Sequence, residues 1–175
     1  MTVHLIVIAI SIGGDYLYCL PRSDDLSGYD PSSTYRLSVD ISFISRHRIG
    51  IAFHPVEFDS GSYSFKGNAY DFYYGFDLSS VFFETSPKLY LLMGGTYHPW
   101  HLEFAGETVQ LPTGKVDFKD WGYLCGLEFS WPIKILDLRV GGYYYYLMSE
   151  HMDRLGFDDD DEKYLGCFAG VRIRI

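Results

Sequence analysis

The sequence has no apolar run long enough for a membrane-spanning helix and no long amphipathic helical pattern. Its most apolar segment, residues 3–12, is far shorter than the roughly 20 residues that such a helix needs. These absences exclude a helical membrane protein and leave β-structure as the main architecture.

Cysteine is scarce. Cys19, Cys125 and Cys167 are too few and too scattered for a disulfide scaffold, and no metal-binding spacing is present. The odd number leaves at least one thiol unpaired within the chain. A bridge between Cys19 and Cys167, in the first and last predicted strands, is geometrically conceivable, but we expect unpaired, buried cysteines and no cofactor.

Positive charge is also in short supply. The net charge is −9, and only 21% of the residues are charged. A chain of this sign is a poor partner for the nucleic-acid backbone.

Aromatic residues and glycine are abundant instead. The 175 residues include 16 Tyr, 13 Phe and 18 Gly, and 18% of the chain is aromatic. Tyr and Phe suit pleated surfaces, and glycine suits crowded or bent strands. The length predicts a single domain over residues 1–175, long enough for a closed barrel.

The segment Thr34–Phe43 alternates strictly between two faces. Tyr35, Leu37, Val39, Ile41 and Phe43 share one face, and polar residues occupy the other. A period of two predicts a β-strand with one apolar and one polar face.

The same pattern recurs and predicts eight strands, at about 3–18, 34–45, 48–57, 68–82, 88–98, 118–131, 133–147 and 163–175. Short turns alternate with long polar segments at 19–33, 57–67, 99–117 and 148–162. The expected fold is an all-β, up-and-down antiparallel transmembrane barrel with short periplasmic turns and longer outer loops.

The N-terminus allows two interpretations. Residues 1–12 are either part of the first strand or the remnant of a signal peptide, since no Lys or Arg precedes the apolar run. We favour the strand.

The polar faces predict a barrel interior with equal numbers of acids and bases. The expected charge network in the lumen consists of Arg36, Asp40, Arg48, Asp71, Asp77, Glu128, Asp137, Arg139, Arg172 and Arg174. Balanced charges in a narrow barrel can pair, whereas unpaired buried charges are prohibitive. The alternative is a soluble, lipocalin-like barrel with its apolar face turned inward around a ligand.

On this pattern the chain resembles the small outer-membrane β-barrels of Gram-negative bacteria, the class of the outer membrane protein A and W barrels. Ile10–Tyr16 is similar to a first-strand exit in that class, and Tyr164–Ile175 to a closing strand, although such strands usually end in Phe. The resemblance implies an outer-membrane location, lipid bilayer and lipopolysaccharide as partners, and a monomer.

No catalytic residues are expected. The densest histidine group is His98-Pro-Trp-His101 with Glu103, at the predicted rim. It allows a metal site or a general base beside Glu103 or Glu107, but interfacial side chains at the headgroup level are favoured. The His-x-Ser pairing of barrel-type lipid deacylases is absent, so a lipid-modifying enzyme is the least favoured function.

Two further features have a functional and a structural interpretation. Asp158, Asp159, Asp160, Asp161 and Glu162 form an acidic run that could bind divalent cations, but it lacks the spacing of a calcium loop, so a solvated loop is favoured. Tyr143 and Tyr145 point into the lumen and either bind a solute or pack there.

The leading hypothesis is a non-enzymatic barrel with a largely plugged polar lumen and exposed acidic loops, in a structural or surface-interaction role. A narrow channel or transport barrel for small or hydrophobic molecules is the main alternative. The soluble barrel is the second.

Overall fold

A computed structural model describes residues 8–23, 26, 28–43, 46–79, 87–111, 114–115, 117–148 and 161–175. Its strands are β1 (Ile8–Pro21), β2 (Ser32–Phe43), β3 (His47–Ser60), β4 (Tyr63–Asp77), β5 (Lys88–Phe104), β6 (Glu107–Thr108), β7 (Gln110–Leu111), β8 (Gly114–Lys115), β9 (Asp117–Ile133), β10 (Leu136–Met148) and β11 (Glu162–Arg174). In the described part of the chain, no helix has the length and apolar character to cross a membrane.

Eight long strands close into an antiparallel barrel. Each pairs with its neighbour in the order β1, β2, β3, β4, β5, β9, β10, β11, and β11 returns to pair with β1. The predicted up-and-down eight-stranded barrel is therefore confirmed. We call the end that holds both described chain termini the turn end, and the opposite end the loop end.

The alternation read in the sequence sets which side chains face outward. On β2, Tyr35 and Leu37 are 74% and 62% exposed, whereas Arg36 and Asp40 are 0% exposed. The outer wall is thus apolar and the interior polar, as a transmembrane barrel requires. The soluble alternative needs the reverse arrangement.

Two segments expected as long loops are instead mostly strand. β3 and β4 extend until they meet at a two-residue turn, Gly61 and Ser62, where Gly61 has φ 62°. β5 likewise continues to a turn at Ala105 and Gly106, with φ 50° and 85°. The local charges in 57–67 suggested a loop, but inward-facing apolar residues continue the alternation there.

The other differences lie at single strand ends. β4 ends at Asp77, whereas the prediction continued this strand to residue 82. Ile8–Ile12 lie in β1, while residues 1–7 lie outside the described residues. The short turn between the predicted strands 118–131 and 133–147 lies at Lys134 and Ile135, because β9 continues to Ile133.

The seam between β2 and β3 is the shortest in the barrel. Its seven pairs run from Leu37↔Phe53 to Phe43↔His47, whereas every other barrel seam has at least eleven. Beyond Leu37, towards the loop end, the next backbone pairing between the β2 side and β3 is the isolated bridge between Asp30 and Asp59. A continued register would place Pro55 opposite Tyr35, and proline has no N–H to donate to a ladder.

Candidate functional site in the barrel lumen

Inward-facing charges from seven strands meet at the middle of the lumen. These side chains face the lumen because every second residue of each strand points inward. Glycines on the neighbouring strands leave room for the long side chains. Gly141 pairs with Glu128, and Gly170 pairs with both Asp15 and Arg139. The cluster consists of Asp15, Arg36, Asp40, Arg48, Asp71, Glu128, Arg139 and Arg172, each 0–3% exposed.

Glu128 accepts hydrogen bonds from two guanidinium groups. Arg48 Nη1 and Nη2 donate to its two oxygens at 2.8 and 3.0 Å, and Arg172 Nη2 donates to the same oxygens at 3.0 and 3.2 Å. Arg139 Nη1 lies 3.8 Å away. Paired, two-point contacts of this kind are the strongest hydrogen bonds available to a buried carboxylate.

Asp15 is the second acceptor. Arg139 Nε and Nη2 donate to its oxygens at 2.6 and 2.5 Å, and Arg36 Nη1 donates at 3.1 Å. Arg139 Nη2 also donates to Ser38 Oγ at 2.7 Å. Asp15 therefore links β1 to β2 and β10.

Asp40 and Asp71 complete the cluster. Asp40 lies 3.0 Å from Arg172 Nε and accepts from the Tyr73 hydroxyl at 2.5 Å. Asp71 lies 3.5 Å from Arg36 Nε and accepts from the Tyr145 hydroxyl at 3.0 Å. The centre thus contains four arginines and four carboxylates.

The other predicted network members lie at the turn end. Asp137 is 3.3 Å from Arg174 Nε, and Asp77 is 3.7 Å from Lys88 Nζ. The Arg174 side chain is 41% exposed, so it belongs to the rim and not to the buried cluster. A polar cavity of about 490 Å³ opens here, lined in part by Lys88, Asp137 and Arg174.

Tyr143 and Tyr145 both lie buried in the lumen, packed against other rings. The ring of Tyr143 stacks on that of Phe168, with 5.0 Å between the ring centres. Cζ of Arg36 lies over the Tyr143 ring, 4.7 Å from the ring centre. Tyr145 stacks on Tyr164 at 4.3 Å.

The histidine group lies within β5 and not at a rim, because that strand extends to Phe104. His98 and Trp100 face the lumen, 0% and 5% exposed, whereas His101 and Glu103 face outward and bond to each other at 3.1 Å. The expectation of interfacial side chains at the headgroup level is therefore wrong for His98 and Trp100. Nε2 of His98 forms a hydrogen bond of 2.8 Å with the Thr96 hydroxyl.

Above the charges, apolar side chains occupy the loop end of the lumen. The described part of the first connection contributes Leu26, 1% exposed, and Tyr29, whose ring lies 5.2 Å from that of Phe65. Ser23 in the same segment donates to Glu162 at 3.1 Å. Other members of this layer are Leu17, Val56, Phe58 and Leu102.

The acidic run is only partly described. Asp158, Asp159 and Asp160 lie outside the described residues, Asp161 accepts a hydrogen bond from Tyr146, and Glu162 is 2% exposed. Among the described residues, no group of three or more His, Cys, Asp or Glu is placed to hold a metal ion.

A row of outward-facing aromatics marks the loop-end edge of the apolar wall. Phe53, Tyr70, Tyr97 and Trp121 lie in register on adjacent strands. Such rows sit at the interface between hydrocarbon and headgroups.

Beyond that row the outer wall becomes polar. Lys66 Nζ lies 2.8 Å from Glu57 and 3.1 Å from Glu103. Hydrogen bonds to Glu57 and Glu103 raise the pKa of Lys66, and hydrogen bonds from Lys66 and His101 lower the pKa of Glu103. These groups therefore remain charged above the membrane edge.

The three cysteines are free, but only Cys19 is buried. Cys125 and Cys167 lie on the outer wall, which corrects the expectation of buried thiols. A bridge between Cys19 and Cys167 is not formed, because the two residues point to opposite faces of paired strands.

We expect N-ethylmaleimide to add two groups to the folded protein in detergent micelles and a third only after unfolding. Intact-mass spectrometry measures the number of adducts. Peptide mapping should assign the slow third adduct to Cys19, and equal labelling of all three thiols in the folded state would contradict the burial of Cys19.

Sequence reasoning missed several lumen residues. Asp15 is part of the segment that resembles a first-strand exit and is absent from the predicted charge network, although the alternation Ser11, Gly13, Asp15 marks it as inward. No local sequence pattern predicts the hydrogen bonds that Tyr73 and Thr96 donate to carboxylates, because these bonds depend on which strands become neighbours.

The sequence matches no protein-family model and no curated protein sequence. Solved structures are similar in fold. The outer membrane protein OprG from Pseudomonas aeruginosa has a TM-score of 0.59 at 10% identity, covering 95% of this chain and 95% of that chain. The N-terminal β-barrel domain of OprF from the same organism has a TM-score of 0.57 at 10% identity, covering 94% and 97%.

Neisserial surface protein A has a TM-score of 0.56 at 14% identity, covering 95% of this chain and 97% of that chain. At such low identities the similarity establishes the fold. With the apolar outer wall, it confirms the predicted class: a small transmembrane barrel of the outer-membrane type.

Proposed function

We propose that the chain is a single-domain, non-enzymatic barrel of the outer membrane, with a plugged lumen and a structural or surface-interaction role. The observation that supports this is the buried cluster of four arginines and four carboxylates across the middle of the lumen. In a narrow eight-stranded barrel, side chains rather than water fill the interior. The apolar layer at the loop end adds a second obstruction.

Lipid headgroups are the partners that the loop end fits best. In barrels of this kind the longer connections face outward, and here they carry Asp24, Asp25, Asp30 and residues 158–161. Divalent cations would bridge these carboxylates to the phosphates of lipopolysaccharide. Glu162 is not part of this set, because it is buried against Ser23. A monomer suffices for this role.

The lumen is also poorly arranged for catalysis. The imidazole of His98 is 0% exposed and packs against Tyr145 and Tyr164, so a substrate from either end has no direct path to it. The charged side chains are engaged with one another.

A narrow channel is the second candidate, and the cavity of about 490 Å³ at the turn end is the observation that favours it. For conduction, this cavity would have to continue past Arg172 and Glu128, which hydrogen-bond across its inner end.

We expect planar-bilayer recordings of the purified protein to show no large, steady conductance. The charge-neutral double variant Asp15→Ala with Arg139→Ala removes one buried pair and should produce an ion current if this cluster, and not the apolar layer at the loop end, is the main obstruction. A stable porin-like conductance in the unaltered protein would overturn the plugged-lumen proposal.

A further inference from the structure

The cavity at the turn end of the lumen is enclosed by inward-facing side chains of β1, β2, β5, β9, β10 and β11. Its volume of about 490 Å³ lies within the range of small-molecule binding sites. Arg172 lines the cavity and hydrogen-bonds to Glu128 at its inner end. The cavity is therefore a cup that a solute can enter from the turn end.

The charges that line this cavity are mainly positive. Three basic residues line it, namely Lys88, Arg172 and Arg174. Among the described lining residues, Asp137 is the one acid, and Asp77 lies 3.7 Å from Lys88 Nζ. Three bases therefore face two acids, in a chain whose net charge is −9. A cleft with walls of low dielectric and an excess of positive charge concentrates anions.

Arg172 supplies a fixed donor at the inner end of the cavity. Its Nη2 donates to the two oxygens of Glu128 at 3.0 and 3.2 Å, and its Nε lies 3.0 Å from Asp40. These contacts hold the guanidinium in place, and the residue is only 3% exposed. Nη1 forms no hydrogen bond with a described residue. Its two N–H groups are left for an acceptor in the cavity.

Hydroxyl groups lie beside the cations on the cavity wall. The strand registers place Ser11 opposite Arg174 and Ser130 opposite Lys88, and Ser42 lines the cavity from β2. None of these three hydroxyls forms a hydrogen bond with another described residue. Several donors around one positive cavity suit an anion with many acceptor oxygens. Phosphate fits this description better than a carboxylate, because it has more oxygens and a larger charge.

We propose that the turn-end cavity is a binding site for a small, soluble phosphate compound. The phosphate accepts hydrogen bonds from Arg172 Nη1 and the serine hydroxyls, and Lys88 and Arg174 attract it at the rim. Phosphates of bilayer lipids surround the outer wall and do not reach the inside of the cup, so the ligand is a solute. The site does not depend on whether the lumen conducts, and so goes beyond the role proposed above.

Isothermal titration calorimetry with inorganic phosphate tests the proposal. The folded protein is kept in octyl glucoside micelles, which contain no phosphate, at constant ionic strength. We expect saturable binding of one phosphate per chain, and about tenfold weaker binding of acetate, which has fewer oxygens and a single charge. Phosphate binding that does not saturate, or equal binding of acetate, would overturn the site.

Two variants and a control locate the bound phosphate. Lys88→Gln should weaken binding roughly tenfold, whereas Lys66→Gln, at a lysine of similar exposure near the loop end, should leave it unchanged. Ala9→Phe fills the cavity without a change of charge and should weaken binding by more than about tenfold. Heat-modifiable migration checks that each variant is folded. Equal effects of the two lysine variants, or unchanged binding by folded Ala9→Phe, would contradict the proposal.

A competition experiment separates a soluble ligand from a lipid headgroup. Phosphatidylglycerol is added to the micelles, and the titration with inorganic phosphate is repeated. We expect the affinity for phosphate to stay the same, because a lipid anchored at the outer wall does not enter the cup. Loss of phosphate binding in proportion to the added lipid would assign the cavity to a lipid headgroup and overturn the proposal of a soluble ligand.

Discussion

Glu128→Ala is expected to lower the free energy of unfolding by roughly 3–5 kcal/mol, or to leave the chain without its compact, heat-modifiable form. Glu128 holds Arg48 and Arg172 by four hydrogen bonds of 2.8–3.2 Å, and Arg139 lies close by. Removing this carboxylate leaves the three guanidinium groups with only Asp40 and Asp15 as acids, and so with an excess of positive charge in a buried site. Removing one partner of a buried pair is far more costly than the pair's net contribution.

Glu57→Ala is the matched control, because it removes the same side chain from an exposed pair. The Glu57 side chain is 49% exposed beside Lys66. Surface pairs contribute about 0–1 kcal/mol, so its loss should be small. Urea titrations of refolded protein in lipid vesicles, followed by tryptophan fluorescence, measure both variants. Similar unfolding midpoints for the two would show that the lumen cluster does not stabilise the barrel.

Gly94→Ala is expected to destabilise the barrel by about 1–3 kcal/mol, since the added methyl has no space. A Cβ at Gly94 would collide with the carbonyl oxygen of Phe72 and lie 2.7 Å from Tyr73 Cα. These are backbone atoms of β4, so only a shift of the whole strand could relieve the contact.

The adjacent glycine provides the control for this second change. A Cβ at Gly95 would have Gly122 O as its nearest neighbour, at an ordinary 3.7 Å. We expect Gly95→Ala to change stability by less than about 0.5 kcal/mol. Heat-modifiable migration on gels and urea titration report the difference. If both substitutions are tolerated equally, the close approach of β4 and β5 at Gly94 is not a constraint on this barrel.

The fold was predictable because its main signal is local. Alternation such as Tyr35, Arg36, Leu37 assigns each side chain to a face without knowledge of any partner strand. The positions of the charged side chains of β2 and β10 follow from the same rule. Strand ends were predicted less well where charged residues such as Glu57 and Lys66 continue an outward face beyond the membrane edge.

The pairing inside the lumen could not be predicted in the same way. Whether Arg48 reaches Glu128 or a nearer acid depends on the stagger between strands, which no single strand encodes. The pair of Asp15 and Arg139 is another example: the two residues are 124 positions apart in sequence, so no local pattern links them.

The buried ion pairs also constrain the order of folding. Arg48 lies on the third strand and Glu128 on the sixth long strand, while Asp15 lies on the first and Arg139 on the seventh. An open sheet entering the bilayer would lack the pair between Arg48 and Glu128, although Asp15 and Arg36 on adjacent strands could still pair. Each charge left unpaired there costs several kcal/mol. We therefore expect the cluster to gain its full set of pairs only when the barrel closes, which disfavours a half-inserted intermediate.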